Sequence, residues 1–357
     1  MKTGKTIQEL ATELTSIQAN RRDFIAPTRD LFMNPDSILS VGDMGSFEPN
    51  NYSHGQVATY AGVPKTYYDK ILGENSNLLS QMVNHGFQQE VLRATVKRPA
   101  NRMVRTVGGK MRAMLSSRYR PLDCIDLLES ALPVIMEQGQ DIKVKSTELT
   151  EARMYLKMVM PKLEGEITKG DPVQYGLVIS SSDVGAGSVR IEPLIYRLVC
   201  TNGLITESAM RKMHIGRNQA ADAGYELLTD ATRELSDQAF WAQVQDIIRG
   251  SMQPEIFDRE VNILREAAGM EIKNDTQKVV ELTAKELGIT SDGVKQSMVQ
   301  YLANGADGAG YNKWGLINAV THAAQADDVD YDTSTDLERS ASKILDFSGK
   351  TWERIAA

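Results

Sequence analysis

The stretch QYGLVISSSDVGAGSVRIEPLIYRLVCT, residues 174–201, decides the fold class of this chain. It contains two runs rich in β-branched and aromatic residues, which are typical of strands, separated by a glycine-containing segment that is typical of a turn. Two similar runs precede it, IKVKSTEL from residue 142 and RMYLKMVM from residue 153. Several of these runs alternate apolar and polar residues with a period of two, which indicates a half-buried antiparallel sheet. The centre of the chain is therefore predicted to be a β-sheet.

Regions on both sides of this sheet have the apolar spacing of helices. Residues 6–20 and 55–86 are predicted to be helical, whereas residues 23–50 contain three prolines and are expected to be irregular. A β-hairpin is predicted in VRTVGGKMRAML, because its glycine pair favours a tight turn between two strands. A helix is expected to begin at Pro121, since proline is favoured in the first helical turn. From residue 219 onward the pattern is mainly helical.

These elements predict an α+β protein, with an antiparallel β-sheet core packed by helices and a mainly helical C-terminal region. At 357 residues the chain is long enough for one large or two ordinary domains. We predict a mainly helical N-terminal region over residues 1–86, an α+β core domain over residues 87–218 and a helical domain over residues 219–357. The composition, with 41% hydrophobic and 24% charged residues, is that of a folded globular protein.

Nine basic residues and no acidic one lie between Arg93 and Arg120, although the whole chain carries a net charge of −7. Blocks of like charge usually mark interaction surfaces, and phosphate backbones are the commonest target of a cationic one. The predicted nucleic-acid interface consists of Arg98, Arg102, Arg105, Lys110, Arg112, Arg118, Tyr119 and Arg120. Its cations would contact phosphates, and Tyr119 would stack on a base. The alternative is that these cations are solvated or pair with carboxylates elsewhere in the fold.

The excess of positive over negative charge lies in the first third of the chain. Residues 1–120 hold 16 Lys and Arg against 10 Asp and Glu, whereas residues 121–357 hold 24 against 37. Within the basic run, strand alternation places Lys110 and Arg112 on one face and Met111 on the other. This distribution indicates either a polyanion site near the front of the chain or a homo-oligomer whose subunits meet head to tail, and both remain open at this point.

Residues 55–72, GQVATYAGVPKTYYDKIL, have the spacing of a helix-turn-helix, with Gly62 at the turn. In such a motif the second helix enters a groove of duplex DNA. Only Lys65 and Lys70 are basic in this segment. A helical corner packed on the main domain is therefore the favoured interpretation, and sequence-specific duplex binding is the weaker one.

The sequence contains no motif that indicates catalysis, a metal or a bound cofactor. The four histidines lie far apart, and neither Cys124 nor Cys200 has a partner at zinc-ligand spacing. The acidic segment 327–338 lacks the glycine and the closing glutamate of a calcium loop. The segment DVGAGSVR lacks the ending of a phosphate-binding P-loop and is expected to be a turn between strands. No apolar run approaches the roughly 20 residues that span a bilayer. We therefore expect a cytoplasmic protein that is not an enzyme and is not bound to a membrane.

Three blocks of the sequence together resemble a known family. They are MRAMLSSRYRPLDCIDLLESALPVI, then YGLVISSSDVGAGSVRIEPLIYRLVCTNGLI, and then WGLINAVTHAAQ followed by YDTSTDLER. They resemble the phage/plasmid-like proteins of the domain of unknown function 932, and IEPLIYRLVCTNG is the most specific part. The resemblance extends from RRDFIAP nearly to the C-terminus. It implies a phage, prophage or plasmid setting, hence the cytoplasm of a host cell, and it implies no catalytic residues.

Two functions are compatible with these patterns. The first is a phage- or plasmid-encoded protein that binds and anneals single-stranded DNA during recombination or replication, as a homo-oligomer. Many phage annealing proteins combine a small sheet, a helix and a basic groove, and they need neither ATP nor a metal. The second is a self-assembling structural or interaction protein that binds a host or phage protein. The first is favoured because the basic run coincides with the predicted hairpin and helix.

Overall fold

The computed structural model describes residues 1–95, 100–119, 122–137, 142–206 and 230–357. Within these ranges it contains two sheets and twelve helices, which confirms the predicted α+β class. In chain order the strands are β1 (Arg21–Pro27), β2 (Leu31–Met33), β3 (Leu39–Val41), β4 (Ser46–Pro49), β5 (Asn101–Val107), β6 (Lys110–Ser116), β7 (Lys143–Leu149), β8 (Met154–Glu166), β9 (Pro172–Ser181), β10 (Arg190–Arg197) and β11 (Gly203–Ile205). The helices are α1 (Ile7–Asn20), α2 (Asn51–Ala61), α3 (Lys65–Glu74), α4 (Ser76–Leu92), α5 (Cys124–Glu137), α6 (Asp230–Ser251), α7 (Pro254–Ala268), α8 (Thr276–Leu287), α9 (Asp292–Ala303), α10 (Lys313–Ala323), α11 (Tyr331–Ala341) and α12 (Gly349–Ala356).

The sheet predicted at the centre of the chain is five-stranded and antiparallel, in the order β11-β10-β9-β8-β7. Helices cover both of its faces. On β8, Leu156 and Met158 belong to the large core cluster that also contains residues of α5 and α7. On the other face of β8, the Tyr155 hydroxyl donates to Asp332 at 2.6 Å and Lys157 pairs with Glu338, both on α11. The buried half of β8 is therefore apolar on one face and partly polar on the other, and every polar group named here has a partner.

The second sheet has six strands in the order β1-β5-β6-β4-β3-β2, and it must curl. Its outermost strands β1 and β2 are joined by only three residues, Thr28–Asp30. Four Cα steps reach about 15 Å at most, whereas the outer strands of a flat six-stranded sheet lie about 24 Å apart. Helix α4 lies along the β2 side, where Ser80 Oγ donates to the Met33 carbonyl at 2.6 Å. The result is a curled sheet packed against α2, α3 and α4.

The expectation that residues 23–50 are irregular was wrong, because this segment contributes four strands to the curled sheet. Strands β2, β3 and β4 have only three or four residues each. A strand of that length shows too little alternation to stand out from a segment with three prolines. The pairing of β1 with β5 also runs across the boundary predicted after residue 86.

The predicted hairpin is confirmed as β5 and β6, with Gly108 in the left-handed conformation that a tight turn requires. The register is interrupted once. Arg105 lies opposite Ala113 and Thr106 lies opposite Met111, so Arg112 is the extra residue of a β-bulge. A bulge redirects the side chain of the inserted residue. The strand alternation that predicted Lys110 and Arg112 on the same face therefore does not hold across the bulge.

The predicted N-terminal helices are confirmed. Helix α1 begins with a capping box in which Thr6 and Glu9 exchange hydrogen bonds. Helix α2 ends at Gly62, which adopts the left-handed conformation common after a helix. Helices α2 and α4 cross closely at Gly86, where a Cβ atom would lie 2.2 Å from the Ala61 carbonyl oxygen. Glycine at position 86 therefore brings the end of α2 against α4.

The C-terminal region is helical as predicted, although residues 219–229 of the expected first helix lie outside the described residues. Its helices share one hydrophobic cluster with the five-stranded sheet. A buried polar contact joins the two, because Arg197 of β10 pairs with Asp171, and the indole of Trp314 in α10 donates to the same carboxylate at 2.7 Å. Among the described residues, none of the helices is long and apolar enough to cross a membrane.

Candidate nucleic-acid interface

The β5–β6 hairpin carries most of the described cations of the basic run, and the cations on its two faces have different contacts. One face packs towards α5 and the β9–β10 connection, residues 182–189. The other lies against α2.

Arg105 lies on the first face and is buried, with 1% of its surface exposed. Its guanidinium donates to Asp23 at 2.9 Å and to Asp123 at 2.7 Å, and also to the Asp183 carbonyl. Burial alone would lower the pKa of Arg105, but the two carboxylates outweigh it and raise the pKa. Arg105 is therefore a structural ion-pair residue, and its prediction as a phosphate contact is corrected.

Arg112 is also occupied within the chain. Its two terminal nitrogens donate to the two carboxylate oxygens of Asp183 at 3.1 and 3.2 Å, and its side chain is 12% exposed. This bidentate pair fixes the β9–β10 connection on the hairpin. The predicted phosphate contact of Arg112 is corrected for the same reason as that of Arg105, because its charge is already matched by a carboxylate.

Tyr119 packs in a small apolar cluster with Ala113, Leu115 and Val184, and its hydroxyl donates to the Ser182 carbonyl at 3.3 Å. Burial raises the pKa of Tyr119 to about 12. The Tyr119 ring therefore packs against the β9–β10 connection, whereas it was predicted to stack on a base.

The remaining predicted residues fall into three groups. Arg118 is exposed after the end of β6. Lys110 is exposed at the turn of the hairpin. Lys110 pairs in register with Val107, five residues along β5 from Arg102, so it lies about 17 Å from Arg102 along the hairpin. Arg98 and Arg120 lie outside the described residues.

Arg102 lies on the second face and differs from the other cations. Its guanidinium carbon lies 3.6 Å from the centroid of the Tyr60 ring, which is a close cation–π contact. No ion pair to Arg102 is present among the described residues, and its Nε–H has no hydrogen-bond partner there. Tyr60 is itself fixed, because its hydroxyl lies 2.7 Å from Thr28 Oγ1 and its ring contacts Phe87. A planar cation is thus held against a fixed ring.

The Arg102–Tyr60 stack forms part of the wall of a cleft of about 730 Å³ between α2, the hairpin and the β9–β10 connection. Tyr52, Gln56 and Lys65 contribute further walls. Gln56 bridges two sides, since it accepts from the Met114 amide and donates to the Val184 carbonyl, both at 2.7 Å. The volume lies in the range of small-molecule and nucleotide sites. The cleft combines aromatic rings, hydrogen-bonding groups and cations.

The β9–β10 connection closes one end of this cleft. Gly185 has a φ of +86°, and a Cβ atom there would lie 2.6 Å from the Leu115 side chain. Glycine therefore lets the loop approach the hairpin. The expectation that DVGAGSVR connects two strands is confirmed. Tyr52 packs against Leu115 and Val184 beside this connection, and burial raises its pKa.

Sequence reasoning identified the segment that forms the cleft but not its role. Gln56, Tyr60 and Lys65 all fall within the predicted helix-turn-helix, residues 55–72. That segment does form two helices, and they are packed together by the contact of His54 Nδ1 with the Tyr68 hydroxyl at 2.7 Å. The sequence does show a tyrosine, Tyr60, near the end of the first helix. Its position beneath Arg102 follows only from the fold.

The described residues contain no group of three or more His, Cys, Asp or Glu side chains that could hold a metal ion. Both cysteines are free thiols, Cys124 buried in the core and Cys200 half-buried. Burial raises the pKa of the Cys124 thiol well above its usual range.

Comparison with known families identifies the class of this chain. Residues 112–341, more than half of the sequence, match the family described as domain of unknown function (DUF932). The chain belongs to this family, as the resemblance of its three sequence blocks indicated. The match begins at Arg112, so the extension of the resemblance over residues 21–111 stays a prediction. No curated protein and no solved structure matches the chain.

Proposed function

We propose that this chain is a single-strand DNA-binding protein that anneals complementary strands, and that its strand enters the cleft between α2 and the β5–β6 hairpin. The observation that carries the proposal is the Arg102–Tyr60 stack at the cleft wall. The guanidinium lies on the ring and Arg102 lines the cleft, so we expect a base that enters the cleft to stack on this pair. Nucleobases stack on aromatic rings and on arginine planes.

The electrostatics of the cleft support the same proposal. Arg102 has no carboxylate partner among the described residues, in contrast to Arg105 and Arg112. Lys65 pairs with Asp69, and both side chains are about half exposed. An exposed pair of this kind contributes little stability, so a phosphate can replace the carboxylate at small cost. The cleft therefore offers one stacking cation and one cation for the backbone.

The direct test compares the binding of a fluorescent single strand and of the matching duplex over a salt series. We expect preference for the single strand and a steep salt dependence, since phosphate contacts release counterions. Replacing Arg102 by Ala should weaken single-strand binding by about 1–3 kcal/mol, which is about five- to 150-fold in Kd. Arg29→Ala is the matched control, because Arg29 is 75% exposed and lies outside the cleft.

Each outcome bears on a different part of the proposal. Absence of binding to either form at low salt would exclude nucleic acid as the ligand. Equal losses of affinity in the Arg102 and Arg29 variants would exclude the cleft as the binding site. Binding would then reflect only general electrostatic attraction. Preference for particular duplex sequences would favour the helix-turn-helix alternative of residues 55–72. Single-strand preference would justify an annealing assay with complementary strands, together with the mass of the assembly that performs it.

A self-assembling interaction protein is the second candidate, and an apolar groove favours it. Phe32 of β2 is 52% exposed and Leu92 at the end of α4 is 77% exposed. Both line a groove of about 430 Å³ on the side of α4 remote from the cleft. Exposed apolar surface beside an edge strand is typical of an interface. Replacing Phe32 by Ser should then lower the molecular mass in solution and leave single-strand binding by each subunit intact.

A further inference from the structure

A second groove continues from the cleft along helix α4. It has a volume of about 450 Å³, and it shares Tyr60 and Glu90 with the cleft as lining residues. Its floor is the end of α2 and the following turn, residues 60–63. The close crossing of α2 and α4 at Gly86 brings this floor against α4. The two grooves are therefore adjacent parts of one surface, separated by the Tyr60 side chain.

The groove runs along a single face of α4. The side chains that line it extend from Leu78 to Arg93, with Met82 and Gln89 between them at helical spacing. Fifteen residues of helix span about 22 Å. This length corresponds to about six stacked nucleotides at the spacing of one strand. The surface is thus long enough for several nucleotides.

The chemistry of this face suits unpaired bases and phosphates. Gln81, His85 and Gln89 present donors and acceptors for the edges of bases. Arg93 lies at the end of the groove next to the cleft, 72% exposed and paired at 3.1 Å with Glu90, which lines both. Because surface ion pairs of adjacent helical turns contribute little, a phosphate can compete for Arg93. The groove has mixed polar and apolar walls.

We propose that the α4 groove is a second subsite for the same single strand, which leaves the cleft across Tyr60, passes Arg93 and follows α4 towards Leu78. The inference rests on the proposed function. Bases in the cleft stack on Arg102, and bases in the α4 groove contact the glutamines and His85. The site therefore covers more nucleotides than the cleft alone, and affinity increases with strand length until both subsites are filled.

Competition binding with oligothymidylates of four and sixteen nucleotides tests this inference on the full chain. Gln89→Ala should weaken binding of the long strand about two- to tenfold, the loss of about one hydrogen bond, and leave the short strand unchanged. His85→Ala should behave in the same way. Gln88→Ala is a closely matched control, because Gln88 is the preceding residue of the same helix and lines the apolar groove instead. It should leave both strands unaffected.

The failure of the inference is distinguishable from that of the proposed function. If Arg102→Ala weakens the binding of both strands while Gln89→Ala and His85→Ala change the binding of neither, the α4 subsite is excluded. The cleft then remains the binding site. Equal effects of Gln88→Ala and Gln89→Ala on the long strand would also overturn it, since they would reflect a general change in α4. If neither strand binds to the unaltered protein, the proposed function fails and the inference fails with it.

Discussion

The two faces of the β5–β6 hairpin use the same type of side chain in opposite ways. On the face towards α5, Arg105 is buried between Asp23 and Asp123 and holds the curled sheet to the rest of the fold. On the face towards α2, Arg102 lies on the Tyr60 ring at the wall of an open cleft. The two arginines lie three positions apart in one strand. The difference lies in the carboxylates that the fold brings to each face.

This contrast shows why a count of charges along the sequence does not locate a binding surface. The basic run contains no acidic residue, yet Asp23 reaches Arg105 from 82 positions away in the sequence and Asp183 reaches Arg112 from 71 positions away. Buried cations of this kind need partners, because an unpaired charge in the interior is strongly destabilising. Arg102 differs from Arg105 and Arg112 in lacking such a carboxylate partner among the described residues.

The largest expected effect is on the buried face. Replacing Arg105 by Met should lower the free energy of unfolding by about 3–5 kcal/mol, because it removes the buried cation between Asp23 and Asp123 and leaves Arg21 as their partner among the described residues. Urea unfolding measures this change. Arg102→Met is the matched control in the same strand, and it should lower stability by only about 0.5–2 kcal/mol through the loss of its contact with Tyr60.

The binding measurements complete that comparison. The Arg105→Met protein that remains folded under mild conditions should bind a single strand like the unaltered protein, whereas Arg102→Met should not. A folded Arg105→Met protein that has lost binding would contradict the division of the hairpin into a structural face and a ligand face. So would equal stability losses in the two variants.

The next largest expected effect is the pH dependence of the stability that the buried face contributes. Burial of Asp123 alone would raise its pKa, but Arg105 and Arg21 outweigh burial and lower the pKa below its usual value. The carboxylate therefore stabilises the fold above its unfolded pKa, and this contribution is lost as the pH falls through the folded pKa. Asp123→Asn should be less stable than the unaltered protein at neutral pH, and the difference should shrink below about pH 4. A difference that is constant with pH would assign the effect to packing.

Much of the fold follows from local patterns, whereas the candidate site does not. The strands around residues 142–205 and the hairpin at Gly108 were predictable because alternation and turn residues act over a few positions. The strands between residues 23 and 50 were missed because each is too short to show a period. The cleft depends on contacts between Tyr60 and Arg102, 42 positions apart, and on Gly185 far beyond both. Contacts of that separation are set by strand order and curl, which no local pattern encodes.

The smallest expected effect belongs to Lys110, and it limits how far the ligand face extends. Lys110 is exposed at the hairpin turn, about 17 Å along the hairpin from Arg102. Lys110→Ala should change the free energy of unfolding by less than about 0.5 kcal/mol, as surface substitutions usually do. A strand that runs from the cleft along α4 does not pass the hairpin turn, so the salt dependence of single-strand binding should fall by less than about one unit of slope. Lys169→Ala, an exposed lysine at the β8–β9 turn, controls for the change in net charge. A loss in affinity as large as that of Arg102→Ala would instead place the strand along the hairpin, and the ligand face would then follow β5 and β6 rather than α4.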